Sequence, residues 1–344
     1  MLLKRLSEAS GTSGDEAEVR TLLKEELTLY AEEVATDTLG NLYFKKGIGR
    51  KPRVMVVAHM DEVGLMVVGY EKSGLLRVVK VGSIDDRVLV SKVVAIGKGR
   101  VPGVIGAKAV HLQKPNERTK AININNLYID IGVRSQEEAE KLVKVGDYGT
   151  FAVTAREAGD NCLIGKAFDN RAGCAILAEL LKEDFDLELN AVFTVQEEVG
   201  LRGAGVAAYS LHPDVALVIE ATAAADVVGS KEAAHVTKLG DGPALTLMDS
   251  TYIAPQQIVD LVAKTAEKLA IPYQYRRLTT AGTDAGIISQ THTGILSAVI
   301  SVPCRYIHSP ASIINLDDWQ NTLRLVRGIL NSIAEGGLCL EGTA

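Results

Sequence analysis

Apolar and polar positions follow two rhythms along this chain. Val19, Leu22, Leu23, Leu27 and Tyr30 recur at helical spacing, with Ser13 and Glu16 spaced as a capping box ahead of them. A hairpin is expected next, because Leu39-Gly40-Asn41 is a turn signal between alternating runs at 34–36 and 42–44. Residues 53–58 then read as a strand, continuously apolar from Val54 to Ala58, the pattern of a strand covered on both faces. From about Val63 to Thr154 the texture changes to short β-branched runs separated by glycines, at 75–81, 88–96, 101–110 and 150–154. Within that block only 135–143 reads as a helix, with Ser135 as its cap and Glu137 and Glu138 in its first turn. After Gly165 helix and strand alternate again: a helix at 169–182, strands at 189–196 and 215–220, and helices at 256–269 and 316–333 flanking strands at 273–278 and 296–302.

Because α/β texture lies on both sides of the β-rich block, the expected fold class is α/β: a mixed sheet with flanking helices that carries an inserted, small β-barrel-like domain. The boundaries expected are 1–62 with 158–344 for the α/β domain and 63–157 for the insertion. No internal repeat interrupts this reading.

Composition narrows the classes of function. At 344 residues and 47% hydrophobic, the chain can bury a large core and exceeds the usual single-domain size. The formal net charge is −6 and the basic residues are scattered, which excludes a nucleic-acid footprint. Cys162, Cys174, Cys304 and Cys339 show no C-x-x-C spacing, so reduced thiols are expected. Residues 1–8 contain no uninterrupted apolar h-region, and no later run approaches the roughly 20 apolar residues of a membrane span. A soluble cytoplasmic protein follows, with small molecules or other subunits as partners.

The chemistry gathers at strand ends. His59 ends the 53–58 strand with Asp61 two residues beyond; Asp169 opens a helix; Glu197 and Glu198 close a strand; Glu220 closes another; His308 lies just past a third. Ligands of open α/β sheets bind at the carboxyl ends of strands, so these groups converge as a dinuclear metal site. Imidazole and carboxylate donors suit zinc, cobalt or manganese and offer nothing to a soft centre.

Each residue alone has a plainer account. A single histidine after a strand is more often structural than a ligand, and Asp169 can serve as a helix N-terminal carboxylate. Adjacent strand residues point to opposite faces, so Glu197 and Glu198 act together only if the chain turns, for which Gly200 and Gly203 supply backbone freedom. Glu220 reads equally as a turn cap or a ligand. Thr283 reads as the N-cap of a helix starting at Asp284. His111, His212, His235 and His292, and also Asp241, read as structural or surface residues, and Cys174 and Cys304 as small buried hydrophobes.

Four strings carry a resemblance: Ala58-His59-Met60-Asp61-Glu62-Val63-Gly64, Ala167-Phe168-Asp169-Asn170-Arg171, Gln196-Glu197-Glu198-Val199-Gly200-Leu201-Arg202-Gly203-Ala204, and Arg305-Tyr306-Ile307-His308-Ser309-Pro310. In this order, over essentially the whole chain, they resemble the tetrahedral aminopeptidase family of dinuclear metal glutamyl and leucyl aminopeptidases, some once labelled endoglucanase M. The resemblance implies the dinuclear zinc-peptidase fold, two divalent ions per subunit, zinc or cobalt, and a dodecamer built from dimers through the inserted block. It also implies that Asp169 bridges the ions, with His59 and Glu220 on one and Glu198 and His308 on the other. Glu197 would then be the general base, and Asp61 would hydrogen-bond the far nitrogen of His59. A metal-bridging hydroxide would attack the peptide carbonyl, removing N-terminal residues from short peptides. One departure is Glu220, where the family more often has Asp. The alternatives are a deacylase or amidohydrolase of the same dinuclear superfamily, a glycoside hydrolase, for which one Trp and five Phe provide little sugar-stacking surface, and a non-catalytic shell. Side-chain preference is not legible.

Overall fold

The computed structural model of the chain describes residues 1–277 and 279–338. The expected strand end at Leu278 and the expected thiol of Cys339 lie outside the described residues. Nine strands of an eleven-stranded sheet run side by side in the order Glu33–Thr36, Leu42–Lys46, Glu188–Thr194, Arg53–His59, Val215–Ala223, Leu296–Arg305, Ser312–Asn315, Cys162–Gly165, Arg156–Ala158. The central four are parallel to one another and the outer pairings are antiparallel, so the fold is α/β with a mixed sheet.

Helices cover both faces, which explains the unbroken apolar runs of the central strands. Val54, Val56 and Ala58 face a core shared with Leu3, Leu177, Ile258 and Val326, while Met55 and Val57 face a second core with Ala204, Ala207 and Ile288. That alternation is the two-residue period of a strand. Since the central strands are parallel, their carboxyl ends open on one edge of the sheet, and the candidate residues collect there.

The residues from Gly64 to Phe151 form a closed six-stranded barrel in the order Gly64–Tyr70, Leu76–Val81, Leu127–Asp130, Val101–Ala107, Val93–Ile96, Tyr148–Phe151. Leu65, Val67, Leu76, Ile105, Ile129 and Phe151 fill its interior. The helix Gln136–Leu142 forms as expected, with Ser135 Oγ accepting the Glu138 N–H at 3.3 Å.

The start of the chain departs from expectation. The helix is Ala17–Leu27, yet Ser13 does not cap it; the Ser13 hydroxyl donates to Asp61 instead. A further short helix, Leu2–Glu8, buries Leu3 and Leu6, and Arg202–Leu211 is also helical despite Gly203 and Gly205. Among the described residues no helix is long and apolar enough to cross a membrane.

Candidate metal centre

The Arg53–His59 strand delivers His59 to the edge of the sheet with 1% of its surface exposed. Opposite it, the helix Phe168–Leu181 has non-helical angles at Asp169 and Asn170. Asn170, rather than Asp169, satisfies the helix start: its Oδ1 accepts the Gly173 N–H at 3.1 Å and its Nδ2 donates to Ile219 O at 2.7 Å. The Asp169 carboxylate is thereby free to face the imidazoles. Its Oδ1 lies 3.1 Å from His59 Nε2 and its Oδ2 3.2 Å from His308 Nε2.

The remaining carboxylates complete two triads around this shared group. Glu220 Oε2 is 3.5 Å from His59 Nε2, and Glu198 Oε2 is 3.3 Å from His308 Nε2. In His59–Asp169–Glu220 and again in Asp169–Glu198–His308, the donor atoms lie within 4.8 Å of one another. Glu197 Oε2 stands 4.0 Å from His59 Nε2. His59, Asp169, Glu197, Glu198, Glu220 and His308 thus lie in one cluster.

The glutamate pair shares a site because the chain turns there. Gln196 and Leu201 take left-handed angles and Gly200 has φ +125°, while Glu197 O accepts the N–H groups of Gly200 at 3.0 Å and Leu201 at 2.9 Å. Gly203 serves differently from expectation: its φ is not positive, but a Cβ would lie 2.6 Å from Val195 O and press on the Asn41 side chain. His308 is held in a left-handed conformation on a loop anchored by Arg305, whose guanidinium donates twice to Asp226, at 2.8 and 2.6 Å.

Asp61 is buried with no exposed surface. Its Oδ1 lies 3.4 Å from His59 Nδ1, slightly farther than its own main-chain carbonyl at 3.2 Å. Both carboxylate oxygens also accept backbone N–H groups, from Glu197 at 3.0 Å and Glu198 at 3.1 Å, and Ser13 Oγ donates at 2.6 Å.

Burial pushes Glu197 well above the ordinary carboxylate range, a rise that His59 opposes and Glu220, Glu198 and Asp284 reinforce. Burial likewise lifts Glu198 to about 8, against the pull of His308. His308 loses by burial but gains more from its Asp169 hydrogen bond and the Glu198 charge, and stands at about 9. Four carboxylates therefore share the centre with two imidazoles. Glu198 Oε1 and Glu220 Oε1 are buried with no hydrogen-bond partner, an arrangement that costs several kcal/mol by order of magnitude unless a cation meets it. Hard oxygen and imidazole donors at this spacing, with orphaned oxygens, fit a pair of divalent ions.

Sequence reasoning missed three neighbours. Ser13 belongs to a different segment from the residue it serves. Asp284 is buried, which raises its carboxyl to about 7 with help from Glu220, and its Oδ2 accepts the Thr194 hydroxyl at 2.7 Å. Arg276 is 9% exposed and lies 4.0 Å from Asp249. Thr283 does not cap with its side chain; its hydroxyl donates to Asp249 at 2.9 Å. His212 and His292 stack on each other with ring centroids 3.9 Å apart, outside the cluster. Cys162, Cys174 and Cys304 are free, and burial lifts the thiols of Cys174 and Cys304 to about 12.

A family profile described as M42 glutamyl aminopeptidase matches residues 40–325. A lysyl aminopeptidase of Pyrococcus furiosus is 32% identical over 342 residues, covering 96% of each chain. Among solved structures, a TET aminopeptidase from Thaumarchaeota archaeon SCGC AB-539-E09 superposes with a TM-score of 0.93 at 38% identity, covering 97% of both chains. The TET1 peptidase of Pyrococcus horikoshii, which can assemble into a tetrahedron or a large octahedral shell, superposes with a TM-score of 0.85 at 32% identity, covering 95% of this chain and 98% of that one.

Proposed function

Because the chain belongs to the M42 glutamyl aminopeptidase family and is a metal-dependent aminopeptidase, we propose that it removes N-terminal residues from short peptides at the cluster around Asp169. The observation that carries this reading is the Asp169 carboxylate shared between two imidazoles, with Glu197 facing the same space. His59 and Glu220 would hold one ion and Glu198 and His308 the other, with Asp169 between them. When bound, such a pair acts as a Lewis acid that lowers the pKa of a water and polarises the peptide carbonyl.

Within that frame the chain's residues have separate tasks. Glu197 takes the proton of the attacking water and passes it to the leaving amine, a role suited to a carboxyl that burial raises well above the ordinary carboxylate range. Asp61 holds His59 in one tautomer with Nε2 toward the centre. Zinc or cobalt suits the donor set, and Glu220, longer by a methylene than Asp, tunes the choice between them.

We read 63–157 as an inserted dimerisation unit between the catalytic segments 1–62 and 158–344, and dimers as the units of a tetrahedral dodecamer, as the assembly of the Pyrococcus horikoshii relative suggests. The free thiols support a reducing compartment, the cytoplasm.

The test is hydrolysis of aminoacyl-p-nitroanilides and unblocked peptides by metal-free protein reconstituted with zinc, cobalt or manganese, with bound metal counted in the same samples. Activity returning at about two ions per chain is expected. Cleavage of N-acetylated but not free peptides would replace the aminopeptidase reading with the deacylase one.

A further inference from the structure

The first thirteen residues are joined to the metal centre through the loop that follows His59. Glu62 N–H donates to Gly11 O at 2.9 Å and Ser13 N–H to Glu62 O at 3.3 Å, and Thr12 and Glu62 form a parallel bridge. Gly11 N–H donates to Glu62 Oε1 at 3.2 Å. The Glu62 carboxylate is fixed in turn by Lys166, whose Nζ lies 2.6 and 2.8 Å from its oxygens. The pairing therefore holds this short segment firmly, and it ends on Ser13.

Ser13 is 4% exposed and Asp61 not exposed at all, and their hydrogen bond of 2.6 Å is shielded from water. The carboxylate that receives it has two further duties. Toward the sheet it faces His59 Nδ1 at 3.4 Å; toward the turn it accepts the main-chain N–H groups of Glu197 and Glu198. A carboxylate torsion is broad and roughly two-fold, so its plane is set by its donors. Glu197 and Glu198 supply two from the turn. Among the described residues Ser13 is the side-chain hydroxyl that fixes it from the other side.

We propose that Ser13 is a positioning residue for the hydrolytic reaction: with the main-chain N–H groups of Glu197 and Glu198 as fixed anchors, its hydroxyl holds the plane of the Asp61 carboxylate, and through that plane the ring of His59. The inference rests on the aminopeptidase reading for its kinetic arm and on the His59 side of the metal centre for its binding arm. Asp61 acts on the centre through His59, and Ser13 acts through Asp61.

The experiment compares Ser13→Ala, Ser13→Thr and the parent as complete, metal-reconstituted enzymes. Loss of an outer partner of a metal-ligand histidine lowers affinity or activity by about 10- to 100-fold; Ser13 stands one bond further out, so about a tenfold loss in kcat is expected, with KM changed less than about twofold. Ser13→Thr, which keeps the hydroxyl, should recover most of the loss. Zinc competition with a chromogenic chelator should show one of the two equivalents weakened by about tenfold and the other unchanged. Parent-like kcat and zinc affinities in Ser13→Ala would overturn the proposal, as would a rise in KM at constant kcat. So would equal weakening of both equivalents, or a loss that Ser13→Thr leaves in place. Should Ser13→Ala not fold, Ser13→Cys keeps the shape with a weak donor, and its parent-like kcat and zinc binding would equally overturn it. If the parent itself cleaves no unblocked peptide, the aminopeptidase reading fails, and the zinc competition decides on Ser13 alone.

Discussion

Glu220 reaches His59 with one oxygen only: Oε2 lies 3.5 Å from Nε2, while Oε1 is buried without a partner. The extra methylene relative to Asp lengthens the reach of this carboxylate, so the number of oxygens it would offer an ion is expected to differ from that of Asp. Glu220→Asp should keep two bound ions but change the ranking of zinc, cobalt and manganese, by about tenfold for at least one of them; Glu220→Ala should lose about one equivalent. Competitive metal titration reads both. An unchanged ranking in Glu220→Asp would show that the methylene sets nothing.

Glu197 and His308 should separate cleanly. Glu197→Gln removes the proposed proton acceptor and keeps the volume, so metal content should stay near that of the parent while kcat falls by about 10²- to 10⁴-fold. His308→Ala removes a donor of the Asp169–Glu198 triad and should lose about one ion of two. Metal analysis beside single-substrate kinetics distinguishes them; equal metal loss in both would refute the division into base and ligand.

Gly203→Ala tests the turn that brings the two glutamates together. The added methyl presses on Val195 and Asn41, and overpacking of this kind costs about 1–3 kcal/mol. Urea unfolding of the metal-free proteins measures it. A change below about 0.5 kcal/mol would mean that the turn gives way without cost.

Lys166 provides a pH signature. Burial lowers its amine to about 8, although the Glu62 charge opposes the shift, so between about pH 8 and the ordinary lysine value near 10.4 the unfolded chain binds more protons than the folded one. Folded stability supplied by this group therefore rises with pH across that window and is flat below it. Measured by urea unfolding in chelator, the parent should gain on Lys166→Met from pH 8 to 10. Parallel curves would place the amine's folded pKa at its ordinary value.

The sequence was most legible where one physical cause acts over several neighbouring residues. Residues 54–58 read as a buried parallel strand because each is apolar, and Ser135 reads as a cap because its target, Glu138, is three residues away. His59, Asp169, Glu197, Glu198, Glu220 and His308 were findable as strand-end or helix-start groups. Legibility failed where the partner is remote or the local preference is overruled. Ser13 has the spacing of a capping box, but its hydroxyl is claimed by Asp61, 48 positions on. Arg202–Leu211 contains two glycines, which weaken any helix read from propensity, yet Ala204, Ala207 and Ala208 pack it onto the sheet. Leu2–Glu8 presents only Leu3 and Leu6 as buried apolar positions, too few for a period. The short strand Leu127–Asp130 draws its identity from barrel neighbours on either side.

The shared edge of the sheet also dictates when the centre can exist during the life of a chain. His59 waits at the end of one strand for Asp169 beyond the barrel, for Glu198 on a later connection, for Glu220 in a later strand, and for His308 near the far end of the sequence. A ribosome must release nearly the whole polypeptide before the last of these can arrive. Any ion that binds the finished fold in preference to a precursor would stabilise it by mass action, and a chain cut short before His308 would lack one of the two imidazoles that face Asp169.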